Sequence, residues 1–286
     1  MYRKRLADTS GLLACVVTFS NHPSTVIGGN ANLKYITTLE DRIRLIKALG
    51  IDLVIPVEFT KSISELQAYD FVHILSDYLG MKGIVGGPDF ALGHNRKGDI
   101  QNLRHIGKEI GFWVDCLPPI VTDSRVVKSN EIRGFITNGQ VAYAAKHLGR
   151  WHELTGLVIE GERRGRTLGF PTANLCVAPS LITPRDGIYA TWACVRDKRC
   201  LSVTSIGTRP TFGGSNRTIE TFIVDFDTDI YDETITIKFV DRIRDEWAFQ
   251  DADSLVEQMK IDLADAIDCL KSSDKPNTDI TMSGGL

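Results

Sequence analysis

The sequence lacks the features that would place it in a membrane or in an oxidising compartment. No apolar run among its 286 residues is long enough to cross a bilayer, and the opening MYRKRLADTS has no apolar core of a signal peptide. Its six cysteines are scattered without a CxxC pair, and its six histidines show no metal-ligand spacing. We therefore expect reduced thiols, no membrane partner and a cytoplasmic protein.

The sequence also has no excess of charge of one sign. Its 33 basic and 36 acidic residues give a net charge of -3, which argues against a general affinity for nucleic acid or for anionic membranes. A hydrophobic fraction of 43% and a charged fraction of 24% are typical of a globular protein. The length allows one large domain or two ordinary ones, and it predicts no oligomeric state.

The first half of the chain alternates strand and helix signals. LLACVVTF and IDLVIPV are continuous apolar runs, typical of strands that are buried on both faces. The helical segment between them begins at a candidate cap, Thr38, and ends at Gly50. SELQAYDFVHILSDYLG predicts one further helix, and DIQNLRHIGKEIG another. This order predicts a Rossmann-like α/β domain over residues 1–148, with a parallel sheet flanked by helices.

The second half is rich in short β-strands separated by turn residues. The strand-like segments are GIYATWACV, LSVTSIG, TIETFIVDF and ETITIKFV. They predict a small antiparallel β-barrel over residues 149–271. A C-terminal amphipathic helix carries an apolar stripe formed by Leu255, Met259, Leu263 and Ile267. We expect the polar tail, residues 272–286, to be disordered.

The segment GERRGRTLGFPTANL has the most specific spacing in the chain. Gly161, Gly165 and Gly169 recur at every fourth position, and no Gly-Lys-Ser/Thr follows, so the segment is not a P-loop. A flexible hairpin is one interpretation of these glycines. The other is a backbone that approaches phosphate groups closely, helped by neighbouring arginines at positions 163, 164 and 166.

The end of this segment predicts a pair of convergent oxygens. Pro171 favours an extended path, and in an extended chain residues i and i+2 face the same side. The Thr172 hydroxyl and the Asn174 amide oxygen would then converge. Two neutral oxygens suit Mg²⁺ that takes its remaining ligands from water and substrate phosphates. The alternative is that Thr172 and Asn174 only stabilise a turn.

The strand TIETFIVDF contains a glutamate with two interpretations. Alternation places Glu220 in a row with Phe222, Val224 and Phe226, so we expect a carboxylate that faces an apolar interior. Such a carboxylate is costly unless it is paired or used in chemistry. Glu220 is either a barrel-rim residue in a salt bridge or the base that orients or deprotonates an attacking hydroxyl.

Four segments in the second half together resemble the riboflavin kinase domain. They are GLVIEGERRGRTLGFPTANL, GIYATWACV, SIGTRPTFGG and IETFIVDF, in the expected order over about residues 151–270. The resemblance implies that Thr172 and Asn174 bind Mg²⁺ and ATP phosphates and that Glu220 is the catalytic base. It also implies, on the weaker match RIRDEWAF, that Arg244 lies near the flavin. The implied reaction transfers the γ-phosphate of ATP to riboflavin and gives FMN.

The first half resembles the adenylyltransferase module that precedes this kinase in bacterial bifunctional flavin enzymes. The matching segments are VVTFSNHP, GGPDFALGHNRKGD and KSNEIR. The resemblance places His22 near the nucleotide and Asp89, Phe90 and Gly93 in a loop at the flavin adenylate. It also implies two phosphate-facing residues at a helix start, Ser129 and Arg133. The plainer alternatives are a helix cap for Ser129 and a loop residue for His22.

The sequence departs from this module in two ways. The family's opening strand and its G-x-F-D-G-V-H-x-G-H loop have no counterpart in the 286 residues, which indicates either a misplaced start or a half that serves as a scaffold. In addition, Asn21 replaces a proline, and Lys128 and Asn130 replace small hydroxyl residues. Because that loop would stabilise the α-phosphate, we expect these 286 residues not to convert FMN and ATP to FAD.

These observations leave three hypotheses open. The first is a Mg²⁺-dependent riboflavin kinase with an attached adenylyltransferase half, acting on riboflavin, FMN and ATP. The second is a non-catalytic flavin-binding module that has kept the barrel. The third is a nucleotidyltransferase that acts on another small alcohol and releases pyrophosphate. The joint presence of Thr172, Asn174 and Glu220 favours the first.

Overall fold

The computed structural model describes residues 11–28, 32–161, 164–211, 214–273 and 281–282. The predicted tail falls largely on residues 274–280 and 283–286, which lie outside this description. The chain divides into two compact units. The first is assigned Met1–Leu33, Thr38–Ile120 and Met282–Leu286, and the second is assigned Lys34–Thr37 and Val121–Thr281.

The first unit is built from parallel strand pairs that are connected through helices. Its elements in chain order are β1 (Cys15–Phe19), α1 (Pro23–Val26), α2 (Leu39–Ala48), β2 (Leu53–Val57), α3 (Lys61–Glu65), α4 (Ala68–Leu79), β3 (Gly83–Gly86), β4 (Ala91–Leu92), a 3₁₀ turn (His94–Arg96), β5 (Gly98–Asp99), α5 (Ile100–Ile110) and β6 (Trp113–Cys116). Strand β1 pairs with β2, and β3 pairs with β6, both in parallel. Two parallel strands need a crossover connection, and helices provide it here. The α/β prediction is therefore confirmed.

Local signals located most helix ends in this unit. Thr38 caps α2, since its hydroxyl accepts a hydrogen bond from the Asp41 N–H at 3.0 Å. The prediction of one helix over residues 64–80 is wrong, because α3 ends at Glu65 and α4 begins at Ala68. Leu66 between them is extended, and its carbonyl accepts a hydrogen bond from the His94 N–H at 2.7 Å. The break therefore supplies a backbone acceptor to the 3₁₀ turn that begins at His94.

The apolar strands β1 and β2 are less buried than their sequences predict. Every residue of the two strands is exposed or half-buried, and Leu53 is 43% exposed. Within the described residues the two strands form a sheet of their own, so each has a single strand neighbour. The expectation of strands buried on both faces is therefore wrong. The core of this unit lies instead between α4, α5 and β3, where Val72 and Leu103 are fully buried.

The second unit contains a closed antiparallel barrel. The elements from the unit boundary onward are β7 (Ile120–Thr122), β8 (Arg125–Val126), α6 (Ser129–Thr137), α7 (Val141–Leu148), β9 (His152–Ile159), α8 (Arg164–Thr167), β10 (Thr172–Val177), β11 (Gly187–Val195), β12 (Lys198–Thr211), β13 (Gly214–Ile223), β14 (Thr234–Arg244), α9 (Ala252–Ser272) and β15 (Thr281–Met282). The barrel order is β10-β13-β12-β11-β14-β9, and β9 closes it by pairing with β10. The prediction of a barrel with a C-terminal helix is confirmed.

The barrel interior combines an apolar core with a chain of hydroxyl groups. Tyr189, Ile206 and Phe239 are fully buried in the core. Thr204 bridges two neighbouring strands, because its hydroxyl lies 2.8 Å from that of Thr191 and 2.9 Å from that of Thr221. These three threonines are fully buried, so their hydrogen bonds to one another offset the loss of water.

Helix α9 packs on the outside of β11, β12 and β14. Its buried positions are Asp262, Ala266 and Leu270, four residues apart. The predicted apolar stripe of Leu255, Met259, Leu263 and Ile267 is only half-buried, so the expected inward face is displaced by one position. The reason is chemical: Asp262 is buried in an ion pair with Arg244, which apolar periodicity cannot indicate.

Candidate active site

The register of β10 and β13 brings three predicted side chains onto one face of the barrel wall. Asn174 lies opposite Glu220, and Thr172 lies opposite Phe222. On β10 the alternate residues Ala173 and Leu175 pack toward the core, so Thr172 and Asn174 face outward together. The outward side of β13 carries Glu220 for the same reason, since Ile219, Thr221 and Ile223 are buried.

The three side chains form a compact polar group. The Thr172 hydroxyl donates a hydrogen bond to Oε2 of Glu220 at 3.4 Å. Thr172, Asn174 and Glu220 are all half-buried. The expectation that Glu220 faces an apolar interior is wrong, because the interior position on β13 belongs to its neighbours Ile219 and Thr221. Glu220 therefore lies where a substrate can reach it from outside the barrel.

Two of the regularly spaced glycines lie against this group. A Cβ atom on Gly161 would be 2.2 Å from Nδ2 of Asn174. A Cβ atom on Gly165 would be 2.3 Å from the Phe170 carbonyl oxygen and 3.3 Å from the Thr172 hydroxyl. The third glycine, Gly169, has a φ of +83°, which side chains rarely adopt. Two of the three glycines therefore let the backbone pass close to neighbouring groups, and the third lets the chain turn.

The segment between the glycines and β10 is fixed by an aromatic contact. The Phe170 N–H donates to the Gly165 carbonyl at 2.8 Å, and the Phe170 ring lies 5.1 Å from that of Phe222. Phe170 is buried, so this contact holds the segment against the outer wall beside Thr172. Arg166 is exposed, while the predicted phosphate-facing Arg163 and the Arg164 side chain lie outside what the structure describes.

Arg244 lies on a different strand from this group. It ends β14, which β9 separates from β10 in the barrel order. Its guanidinium donates to both oxygens of Asp262, at 2.8 and 2.6 Å, and only 10% of its side chain and 4% of that of Asp262 are exposed. The structure therefore brings Thr172, Asn174 and Glu220 together and places Arg244 in a buried ion pair with α9.

A polar cleft beside the start of β11 and the end of β14 was not predicted from the sequence. It has a volume of about 550 Å³ and is lined by Thr137, Arg185, Asp186, Arg217, Asp245 and Glu246. Arg217 stands three residues before Glu220 on β13, and its guanidinium donates to Asp186 at 2.7 Å. A Cβ atom on Gly207 would be 2.3 Å from Oε1 of Glu246. The sequence signal for this cleft was the polar residues on both sides of β13 and β14, and these residues follow no recognisable spacing.

In the first unit, Asn21 and His22 follow the end of β1, and Asn21 connects it to the residues after β2. Nδ1 of His22 accepts a hydrogen bond from the Ser24 N–H at 3.1 Å, so His22 caps the short helix α1. Asn21 donates to the Phe59 carbonyl at 2.9 Å and accepts from the Phe59 N–H at 2.7 Å. Both residues follow the carboxyl end of a parallel strand, where such sheets bind ligands.

The predicted flavin-adenylate residues lie between the end of β3 and the 3₁₀ turn. Arg96 donates a hydrogen bond to the Asp89 carbonyl at 2.7 Å. A Cβ atom on Gly86 would be 2.6 Å from the Phe90 ring, so this ring lies on the strand end. Gly93 has a φ of +74° and would place a Cβ atom 2.5 Å from the Ala68 nitrogen. Gly93 is therefore required where the loop packs against the start of α4.

The two predicted phosphate-facing residues of the first half belong to the second unit. Ser129 is the first residue of α6, and the cap position is Lys128, so the alternative interpretation of Ser129 as the cap is wrong. Arg133 donates to the Lys34 carbonyl at 2.9 Å and to the Asn130 side chain at 2.8 Å. Burial lowers the pKa of Arg133.

The fold and the site together define a class: an α/β unit followed by a kinase-type barrel, with a Thr-x-Asn strand facing a glutamate. Two family models match the chain in that order. The model described as FAD synthetase matches residues 2–131, and the model described as riboflavin kinase matches residues 148–270. Within the described residues, no helix combines the length and the apolar character needed to cross a membrane.

Relatives extend the match over nearly the whole chain. A bifunctional riboflavin kinase/FMN adenylyltransferase from Listeria monocytogenes is 34% identical over 264 residues, which cover 92% of this chain and 84% of the relative. Its counterpart from Bacillus subtilis is 33% identical over 270 residues, with the same coverage. The chain therefore belongs to the bifunctional riboflavin kinase/FMN adenylyltransferase family. The prediction of a flavin-cofactor transferase of this family is confirmed, and ATP is the co-substrate that such a kinase family implies.

A solved structure has the same fold. The crystal structure of a protein called a macrolide-efflux protein from Streptococcus pneumoniae is 30% identical, with a TM-score of 0.86, and the match covers 92% of this chain and 86% of the other. That name belongs to the other protein, and the likeness supports the fold described above.

Proposed function

We propose that residues 149–271 phosphorylate riboflavin with ATP to give FMN. The single observation that carries this proposal is the convergence of Thr172, Asn174 and Glu220 on one outward face, with a 3.4 Å contact between the Thr172 hydroxyl and the Glu220 carboxylate. Family membership implies the substrates, and the geometry supports the role proposed for each side chain.

Glu220 is the base in the proposed reaction. Its carboxylate accepts the proton of the terminal ribityl hydroxyl as that oxygen attacks the γ-phosphorus of ATP. The new bond joins the ribityl oxygen to phosphorus, and the bond from phosphorus to the β–γ bridging oxygen breaks. ADP leaves with the electron pair of that bond. Because the Glu220 carboxylate is half-buried on the outer wall, an alcohol can reach it without entering the barrel.

Thr172 and Asn174 fit a magnesium site of the kind that phosphoryl transfer needs. They present a hydroxyl and an amide on the same side of β10, beside the Glu220 carboxylate. A small number of neutral oxygen ligands suits Mg²⁺, because this ion keeps several bound waters and also binds substrate phosphates. When bound there, the ion would neutralise charge on the ATP phosphates. The backbone at Gly161 and Gly165, which closely approaches these side chains, would cradle the phosphates.

The first unit is proposed to correspond to the adenylyltransferase half of the family. His22, Asp89, Phe90 and Gly93 stay predictions for the nucleotide and flavin side of that site. Ser129 and Arg133, which belong to the second unit, stay predictions for residues that face phosphates. Arg244 likewise stays a prediction for the flavin side of the kinase. Each has a defined partner or position in the structure.

The decisive assay incubates the purified 286-residue chain with riboflavin, ATP and Mg²⁺ and separates flavins by chromatography. The proposal expects FMN and ADP in equal amounts. Riboflavin binding without any product would identify a flavin-binding module. Release of pyrophosphate without FMN would identify a nucleotidyltransferase acting on another alcohol. Either outcome would overturn the kinase assignment.

A further inference from the structure

The loop that follows β14 has little packing of its own. Residues 245–249 are irregular, and four of the five, Asp245 to Ala248, are exposed. Asp245 and Glu246 nevertheless form part of the wall of the 550 Å³ cleft. A loop that bounds a cleft needs an anchor if the cleft is to keep its shape. The Asp245 carboxylate is paired with Arg242 at 2.6 Å, and the aromatic residues of the loop lie against Arg244, the last residue of β14.

Arg244 connects the loop to α9. Besides its two hydrogen bonds to Asp262, its Nη1 donates to the Asp245 carbonyl at 2.9 Å. The guanidinium also lies 4.6 Å from the centre of the Trp247 ring and 5.8 Å from that of Phe249. One side chain thus contacts the loop at three residues while both Asp262 oxygens fix its plane.

Asp262 is itself held in place from within the helix. Gln258, one turn earlier, donates to Oδ1 of Asp262 at 2.9 Å. The Asp262 side chain is only 4% exposed, so its negative charge is stabilised by Arg244 and Gln258 rather than by water. The C-terminal helix therefore sets the position of the guanidinium, and the side of the loop that carries Trp247 and Phe249 depends on it.

The loop reaches the outward face of the strand that carries the proposed base. On β13, Thr218 and Glu220 are two residues apart and therefore share that face. Glu246 of the loop lies over Gly207, which pairs with Thr218, two residues from Glu220. The loop therefore borders the region from which an alcohol would approach Glu220.

We infer that Asp262 is a positioning residue for the acceptor substrate: it holds Arg244, and through Arg244 it helps to fix the 245–249 loop, whose Glu246 lies over the face of the barrel that carries Glu220. This inference rests on the proposed function. It assigns to the C-terminal helix a part in recognition of the alcohol, in addition to covering the barrel. Asp262 itself touches no substrate.

The test is steady-state kinetics of Asp262→Asn, with KM determined separately for riboflavin and for ATP. We expect the KM for riboflavin to rise about tenfold, as a change in a coupled contact can produce, while the KM for ATP stays within about twofold. The matched control is Asp265→Asn, an exposed aspartate on the same helix, which keeps both KM values. The emission of Trp247 provides a second measurement, assigned by comparison with Trp247→Phe. It shifts in Asp262→Asn and not in Asp265→Asn.

If Asp262→Asn does not fold, Gln258→Leu replaces it, because this change removes one hydrogen bond and leaves the ion pair. We then expect a smaller rise in the riboflavin KM, with the ATP KM unchanged. An active wild type whose riboflavin KM is the same in the variant contradicts the inference, as does an equal rise in both KM values. A wild type that makes no FMN refutes the proposed function instead, and the Trp247 emission still reports whether Asp262 holds the loop.

Discussion

The Thr172 hydroxyl donates a hydrogen bond to the Glu220 carboxylate across the β10–β13 pair, at 3.4 Å. The two residues are 48 positions apart in the chain, so the contact depends on the barrel register. A long hydrogen bond of this kind is easily exchanged for a better partner. The Thr172 contact itself therefore opposes the binding of a substrate or metal ion at Glu220 only weakly.

Glu220→Gln is expected to reduce FMN formation by about 10² to 10⁴-fold, because the amide keeps the shape of the side chain and cannot accept the proton of the alcohol. The measurement is turnover at saturating riboflavin and ATP, together with a thermal melt. Glu233→Gln is the control, since Glu233 lies on the barrel surface in an ion pair with Arg196. Wild-type turnover in Glu220→Gln would show that Glu220 is not the base.

The metal-binding role of Thr172 can be tested by a Mg²⁺ titration. Thr172→Val removes the hydroxyl oxygen and keeps the branched shape, so the Mg²⁺ concentration for half-maximal activity should rise about tenfold or more. Thr172→Ser retains the oxygen and should stay close to wild type. Asn174→Ala should also strongly reduce FMN formation, because it removes the second predicted ligand. Identical Mg²⁺ curves for Thr172→Val and Thr172→Ser would exclude the hydroxyl as a ligand.

The sequence predicted what depends on neighbours in the chain. Alternation along an extended strand was sufficient to place Thr172 and Asn174 on one side, and it did not need the partner strand. The same is true of the Thr38 cap and of the barrel strands, which are bounded by turn residues. Local rules of this kind hold because each involves residues within one turn or a few strand positions.

What the sequence could not predict depends on partners far along the chain. Glu220 was expected to face inward because its row contains Phe222, yet the buried row contains Thr221, whose hydroxyl is satisfied by Thr204 on β12. Asp262 was left out of the apolar stripe of α9 for the same reason, since its partner Arg244 lies 18 residues away. A polar residue can be buried when a partner elsewhere in the chain satisfies its hydrogen bonds. Residue type alone therefore predicts exposure only where no such partner exists.

Gly161 provides a steric test of the site. In Gly161→Ala the new methyl group would be 2.2 Å from Nδ2 of Asn174, so the Asn174 side chain must move. A displacement of this kind can cost about a hundredfold in turnover. The control is Gly134→Ala in α6, where a Cβ atom meets no other atom within 4 Å and should stabilise the helix by about 0.5–1 kcal/mol. Unchanged turnover in Gly161→Ala would mean that the position of Asn174 does not matter for catalysis.

The buried His152 predicts how stability depends on pH. Its Nε2 lies 3.2 Å from the Ile182 carbonyl oxygen, so the neutral ring donates from Nε2, and Nδ1 has no hydrogen-bond partner among the described residues. Burial lowers the pKa of His152 from 6.5 to about 3, with a smaller contribution from Arg150. Below pH 6.5 the unfolded chain therefore takes up a proton that the folded chain does not.

The free energy of unfolding should accordingly fall as the pH decreases from 6.5 toward 3, and His152 should contribute up to about 1.4 kcal/mol per pH unit. Above pH 6.5 this contribution is constant. His152→Gln keeps a neutral donor for the Ile182 carbonyl, so denaturant unfolding between pH 8 and pH 5 should show a flatter dependence than wild type. The control is His105→Gln at an exposed position, which leaves the buried imidazole in place. Equal slopes in His152→Gln and wild type would show that the imidazole can be protonated without unfolding, so that the barrel admits water at this position.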